Sequence, residues 1–224
     1  MAEDSPSEQV ALLRADNDRL RRLLDQANTP AELRHRMRST LALLQHVIRR
    51  SADRATDIED YVAHLVDRVD AVARAQTTAD DQGTINLHTL LAEELIRFRI
   101  MEDERLQMSG PSVQFHARPG QAMALAIHEL ALNAIQHGPL GLDEGRLTVT
   151  WHVEGKPPDH ALIFEWRETG STPPAVASAP GFGTDTLFGM LAHELGAQTA
   201  FAYGQAGLSC IIRLPWAERL GSIL

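Results

Sequence analysis

One cysteine among 224 residues, Cys210, excludes an internal disulfide framework, and no zinc-type Cys/His spacing exists around it. The fold must therefore rest on its core, and 44% hydrophobic residues suffice for one ordinary domain plus a smaller helical one. Long apolar runs are missing as well. Nothing approaches the length of a membrane span, and the acidic, polar start from Met1 to Glu8 lacks the apolar core of a secretory signal. These absences predict a protein of the reducing cytoplasm that neither enters nor crosses a membrane. Positive charge is also short: a formal net charge of −9 works against general nucleic-acid binding, which needs clustered Lys and Arg to neutralise phosphates. Any nucleotide must then be held by a local constellation and a metal ion, because the global field opposes it. No internal repeat runs at a solenoid period.

What is present begins with apolar side chains at Val10, Leu13, Leu20, Leu24 and Ala27, with Asn17 on the same seam. Two readings stay open here: a short parallel coiled coil, in which Asn17 pairs with its twin in a homodimer, or one amphipathic helix packing on its own chain. Thr29, Pro30 and Glu32 form a capping box, which predicts a helix running to about Asp53. Its stripe is Leu33, Met37, Leu44, Val47 and Ile48, and His35 lies about 200° from Leu33 at 100° per residue, facing solvent. A second capping signature from Thr56 to Glu59 opens a helix with the stripe Ile58, Val62, Leu65, Val69 and Val72. Such a hairpin buries too little alone, so a four-helix bundle across a dimer axis is its natural completion.

The polar run from Thr77 to Gly83 reads as a linker. Beyond it the pattern predicts a helix from Asn86 to Met101, strands near 106–108 and 113–116, and a helix from Pro119 to His137. Strands at 146–153 and 161–167, a Gly/Pro-rich loop, a helix near 184–195 and strands at 198–203 and 208–214 follow. This is an α+β pattern of mainly antiparallel strands with helices on one face. On the Pro119 helix, Glu129 and Asn133 are four apart, with Gln136 and His137 one turn later, so these polar groups share a face. A carboxylate and an amide so stacked supply hard oxygen ligands suited to Mg²⁺, although an ordinary solvated face would look the same. Glu168, Thr169 and Gly170 follow the strand ending at Trp166, and Gly181-Phe182-Gly183-Thr184 opens a helix whose free N–H groups favour phosphate.

Together these residues resemble the HWE family of histidine kinases, within the GHKL ATPase superfamily. Leu33 to Arg38 looks like the family's phosphoacceptor box, and His128-Glu129-Leu130 with Asn133-Ala134 and His137-Gly138 looks like its N box. The name-giving letters would be His128, Trp166 and Glu168, and Gly181-Phe182-Gly183 and the strand from Leu208 to Pro215 resemble its later boxes. The resemblance implies an N-terminal coiled-coil helix (1–28), a helical dimerisation and phosphotransfer hairpin (29–80), a Bergerat-type ATP-binding α/β sandwich (84–217) and a C-terminal tail (218–224). His35 would accept the γ-phosphoryl group of ATP and pass it to an aspartate of a response-regulator receiver domain. Asn133 would bind Mg²⁺ with Glu129 beside it, and Glu168 would stand where related kinases use Asp to accept the adenine amino group. Gln136, His137 and Thr184 fall within the nucleotide-binding boxes, and Gly170, Gly181 and Gly183 would let a lid close over the triphosphate. Glu32, one turn before His35, is the candidate to accept its proton. His128 either orients the metal ligands or satisfies a hydrogen bond in the core.

Ser39, Gln136 and Ser171 depart from the family pattern, where Asn, a cation and a further glycine are usual; Gln136 removes one phosphate contact. Two rivals remain open: a histidine phosphotransferase whose ATPase domain is degenerate, and a GHKL-type module that sequesters a regulatory partner. With no room for a sensory domain, the input is expected from a separate sensor protein, the N-terminal helix or a neighbouring subunit.

Overall fold

Asn17 decides how the N-terminal helix is used. In the computed structural model, which describes residues 13–20, 37–38, 40–41, 43–45, 47–48, 57–100, 105–136, 138–141, 145–170, 189, 191–193, 195–204 and 207–224, this asparagine is buried and its Nδ2 donates to Leu41 O at 3.4 Å. Gln45 Nε2 donates to Asp18 Oδ1 at 3.2 Å, so residues 13–20 pack on a helical segment of their own chain. The intrachain reading holds for the Asn17 amide nitrogen, whereas its Oδ1 is buried with no hydrogen-bond partner among the described residues. Leu13 and Leu20, on the same expected seam, remain exposed.

The chain divides into two compact units, Met1–Ala73 and Arg74–Leu224, and the division falls inside one helix, α1 (Ile58–Gln82). The expected stripe of α1 holds at Val72 and, half-buried, at Ile58, Leu65 and Val69, but not at Val62. Val62 is exposed, whereas Tyr61, Arg68, Ala71, Val72, Ala75 and Ala79 are buried. Tyr61 brings more area to the cluster with Ile48, Ile58 and Leu65 than a valine would, and alanines let neighbours approach closely. The expected linker from Thr77 is also corrected, since α1 continues through Gln82. Gln76 Nε2 donates to Asp80 Oδ1 at 2.7 Å, one turn on, and buried Ala75 and Ala79 anchor the run. Only Gly83, at φ +78°, stops the helix, its N–H donating to Ala79 O at 2.8 Å.

In the second unit, β1 (Ile85–Asn86) leads into α2 (Leu87–Arg97), whose N-cap Asn86 accepts from Thr89 N at 3.1 Å. The buried positions of α2 are Leu87, Leu90, Leu91, Glu94 and Leu95, one face at helical spacing with a charge in its middle. β2 (Leu106–Ser109) and β3 (Val113–Phe115) precede α3 (Ala117–Gln136), which is buried at every position from Pro119 to Ala131 and packs on α2. β4 (Arg146–Glu154), β5 (Ala161–Thr169), β6 (Gln198–Gly204) and β7 (Gly207–Pro215) join β2 in a five-stranded sheet of order β2-β4-β5-β7-β6. Its pairings are antiparallel except for β2 with β4, a parallel edge that the sequence pattern did not separate from the rest.

One face of this sheet is apolar and dry, with Val149 opposite Trp166, Trp166 opposite Cys210 and Phe164 opposite Ile212. The other carries His152, Glu165, Arg167 and Arg213, the period-two alternation of a half-buried sheet. No helix among the described residues is long and apolar enough to cross a membrane. A second sheet, β1-β3-β8, was not anticipated. β8 (Gly221–Ile223) pairs with β3 inside the segment 218–224 expected to be a tail, and Leu220 just before it is buried. Three residues with one apolar side chain give no periodicity to read.

Gly221 makes that pairing possible, because its φ of +141° and the 1.8 Å gap between an added Cβ and Gln114 O leave no place for a side chain. Gly221→Ala should therefore lose about 2 kcal/mol and several degrees of Tm, read by thermal unfolding at fixed pH. An unchanged Tm would mean that β8 contributes nothing to the second unit.

Candidate functional site

Period two along β5 sends Trp166 and Glu168 to the same, buried face of the sheet, one indole and one carboxyl apart. Glu168 was expected just past the strand. Instead the ladder runs on, Glu168 opposite Leu147 and Thr169 opposite Arg146, and the carboxyl is only 3% exposed. Trp166 Nε1 donates to Glu168 Oε1 at 2.9 Å. That one neutral donor does not offset the lost water. Burial pushes the Glu168 carboxyl from its ordinary 4.5 up to about 7, with the Trp166 hydrogen bond pulling weakly the other way. Near neutral pH this group is thus divided between acid and carboxylate. It can accept a hydrogen bond in either state and donate one as the acid.

Backbone closes around the same carboxyl. A Cβ on Gly138 would lie 2.5 Å from Glu168 Oε2 and 2.8 Å from Ala134 Cα, so only glycine fits where the chain leaves α3. A Cβ on Gly207 would come 2.2 Å from Glu168 O. Cys210 neighbours the group, and its thiol is pushed up to about 12, first by burial and then by the charge of Glu168. It stays protonated and packs as a small apolar side chain. The structure thereby brings the end of α3 against the Trp166–Glu168 pair.

Along α3, Glu129 is buried, Asn133 half-buried and Gln136 exposed, a polar row that emerges from the core toward the helix C-terminus. Gly170, at φ +99°, ends β5 in the left-handed conformation expected of a loop entrance. His35, His137, Gly181, Gly183 and Thr184 lie outside the described residues, as do Ser39 and Ser171. Among the described residues no group of three or more His, Cys, Asp or Glu side chains could hold a metal. Two oxygen ligands on one helix suit a Mg²⁺ that arrives with its own waters and phosphates.

His128, which the sequence left between two roles, is buried with Nδ1 2.6 Å from Glu94 Oε1. Glu94 also accepts from Arg74 Nη2 at 2.7 Å. Neither Arg74 nor Glu94 was singled out from the sequence. The available signal was a lone carboxylate within the apolar stripe Leu87, Leu91, Glu94 and Leu95. Of the other histidines, His88 meets Trp151 edge-on with ring centroids 6.2 Å apart, and His152 is exposed 3.8 Å from Glu165, both away from this row.

The titration of Glu168 has a sign. A carboxyl whose folded pKa lies above its unfolded value contributes stability fully below about 4.5 and loses it as pH rises through about 7. Wild type should therefore weaken relative to Glu168→Gln between pH 5 and pH 8, by on the order of 2 kcal/mol, in paired denaturant titrations. Parallel pH profiles for the two proteins would show that Glu168 ionises like a solvated acid.

Comparison with known proteins follows this geometry. The profile described as HWE histidine kinase matches residues 32–112. A blue-light-activated histidine kinase of Rhizobium johnstonii is 32% identical over 188 residues, 83% of this chain and 52% of that protein. Blue-light-activated histidine kinase 1 of Erythrobacter litoralis is 34% identical over 200 residues, 85% of this chain and 53% of that protein. The chain thus spans about half the length of the curated relatives it matches. Among solved structures, a blue-light-activated histidine kinase of Erythrobacter litoralis superposes with a TM-score of 0.63 at 16% identity, covering 84% of this chain and 61% of that one. Its isolated histidine kinase domain gives 0.55 at 15% identity, covering 92% and 94%. The mixed helix-and-sheet architecture is therefore that of the histidine kinase domain on which it superposes, and the chain carries the HWE histidine kinase profile in 32–112 and is similar over more than four-fifths of its length to two blue-light-activated histidine kinases.

Proposed function

We propose that this chain is an ATP-dependent protein histidine kinase that phosphorylates its own His35 and passes the phosphoryl group to an aspartate of a response-regulator receiver domain. The observation that carries this reading is the buried carboxyl of Glu168, partnered by Trp166 and closed in by Gly138 at the end of the helix bearing Glu129 and Asn133. A carboxyl poised near neutrality matches an adenine edge, which offers an amino donor beside a ring-nitrogen acceptor. A glycine against it leaves a flat approach for a ring rather than a packed side chain.

Glu129 and Asn133 would hold Mg²⁺, which when bound neutralises charge on the nucleotide phosphates. Gln136 and His137 follow them along the chain, and Gly170, Gly181, Gly183 and Thr184 belong to the segment proposed to close over the triphosphate. In the transfer, a lone pair of the neutral His35 imidazole forms the N–P bond while the bond to the β,γ-bridging oxygen breaks and ADP leaves. The chain's task in such a step is positioning and charge neutralisation. Domain roles follow: dimerisation and phosphotransfer in 29–80, nucleotide binding from 84 through β8. Exposed Leu13, Leu20, Met37, Val62 and Val66 support a homodimer whose helices complete a four-helix bundle.

Purified chain incubated with γ-labelled ATP and Mg²⁺ should acquire label that survives base and is lost in acid. His35→Ala should abolish it, and Asn133→Ala should lower it by about a hundredfold or more. Folded wild type that binds ATP without labelling itself, yet accepts phosphate at His35 from a phosphorylated receiver domain, would replace the kinase with a phosphotransferase.

A further inference from the structure

A polar chain runs through the second unit that the phosphoryl transfer described above does not use. Arg74 of α1 donates from Nη2 to Glu94 Oε2 at 2.7 Å, and Glu94 of α2 meets His128 of α3 at 2.6 Å. The side chains of Glu94 and His128 are 5% and 3% exposed, and that of Arg74 is 32% exposed. A second amide pair, Gln121 with Gln76, ties the same helix α3 to α1. Burial alone would raise the Glu94 carboxyl, but the hydrogen bonds and charges of His128 and Arg74 outweigh it and hold the group below its ordinary value. An ionised carboxylate only accepts, so Nδ1 is the protonated nitrogen of His128, and the ring is oriented from the Glu94 side. His128 Nε2 has no partner among the described residues, and the only ring near it is Phe98, at 6.0 Å between centroids.

The buried positions of α3 mix small side chains, Ala122, Ala124, Ala126, Ala131 and Ala134, with Met123, Leu125, Ile127 and Leu130; apolar contacts of this kind fix no single direction, whereas a short hydrogen bond to a fixed carboxylate does. Rotation by about 10° carries a side-chain tip roughly 6 Å off the axis through about 1 Å. A displacement of that size is enough to cost on the order of a hundredfold in a transfer that depends on placement.

We propose that Arg74 and Glu94 are positioning residues for phosphoryl transfer: acting through His128, they hold α3 at the rotation that presents Glu129 and Asn133 to the metal–phosphate end of the nucleotide. The proposal rests on the kinase reading, and it separates two ends of one site. Glu168 itself is carried by β5, with only the exit of α3 against it, so the Glu168 end should depend on Glu94 less than the Mg²⁺ end does.

The test uses the full chain with Glu94→Gln, Arg74→Met and Arg74→Lys. For each, ADP affinity without Mg²⁺, the gain in affinity on adding Mg²⁺, and the labelling rate at saturating ATP and Mg²⁺ are measured. Glu94→Gln and Arg74→Met should keep Mg²⁺-free ADP affinity within about threefold of wild type, lose most of the Mg²⁺-dependent gain, and label at least about tenfold more slowly. Arg74→Lys, which restores a charged donor, should recover part of the rate. Because Arg74 is one-third exposed and its replacement leaves the His128–Glu94 bond in place, this pair of variants keeps the test open if Glu94→Gln fails to fold. Mg²⁺-free affinity falling in step with the rate would mean general loosening and overturn the proposal, as would an unchanged rate. Wild type that binds no nucleotide would sink the kinase reading and this proposal together; active wild type with indifferent variants would sink the proposal alone.

Discussion

A carboxyl group taken out of water must find donors or a proton, and the second unit is arranged around two groups that answer this demand in opposite ways. Glu94 finds donors: His128 and Arg74 reach both of its oxygens, and it stays ionised inside the helical layer. Glu168 has a single neutral donor, the Trp166 indole, and takes up a proton near neutrality instead. Removing the buried His128 partner from the first would leave much of a buried charge unmatched, a loss of up to about 3–5 kcal/mol, whereas Arg74, one-third exposed, contributes less. The second is poised, and a poised group responds to whatever ligand edge reaches it. One is structural and the other receptive, although both are glutamates with almost no exposed surface.

The receptive group is held by backbone more than by side chains. Strand alternation puts Trp166 and Glu168 on one face, so their two-residue spacing is a requirement of the ladder. Gly138 lets α3's exit close in on the carboxyl, and Gly207 lets β7's start approach the backbone carbonyl of the same residue, where any Cβ would collide. The carboxyl itself has the Trp166 indole as its hydrogen-bond donor and no charged neighbour bonded to it among the described residues.

Much of this was legible beforehand, and the failures have physical causes. Helices α2 and α3 and the strands of the larger sheet announced themselves through their hydrophobic period, and Glu129, Asn133 and Glu168 were named on motif grounds. The run Thr77–Gly83 looked like a linker because it has no apolar periodicity and contains turn-forming residues, yet two buried alanines and one side-chain hydrogen bond carry α1 through Gln82. Val62 was assigned inward because it is apolar; Tyr61, larger and adjacent, took the place. β8 was invisible because a three-residue strand has no period, and its decisive residue is a glycine that carries no hydropathy signal. Arg74 and Glu94 escaped because pairing is a tertiary fact: a lone charge in an apolar stripe marks a buried partner without saying where in the chain it lies.

Titration of a ligand-facing acid also changes how binding depends on pH. A fixed carboxylate can accept from an amino group but repels a ring nitrogen's lone pair, and a fixed acid can donate to that nitrogen. Glu168, divided between the two states near neutrality, would under the proposed kinase reading meet an edge that offers both partners side by side. Whichever state prevails, one hydrogen bond would be retained, and a purine bound there would select the protonation that gives it the second. The cost of the proton has already been met by burial, since the apolar sheet face around Trp166 and Cys210 is what raised the group in the first place. Burial of the acid and the proposed recognition of a ring would therefore draw on the same apolar surface, and a polar substitution there would weaken both at once.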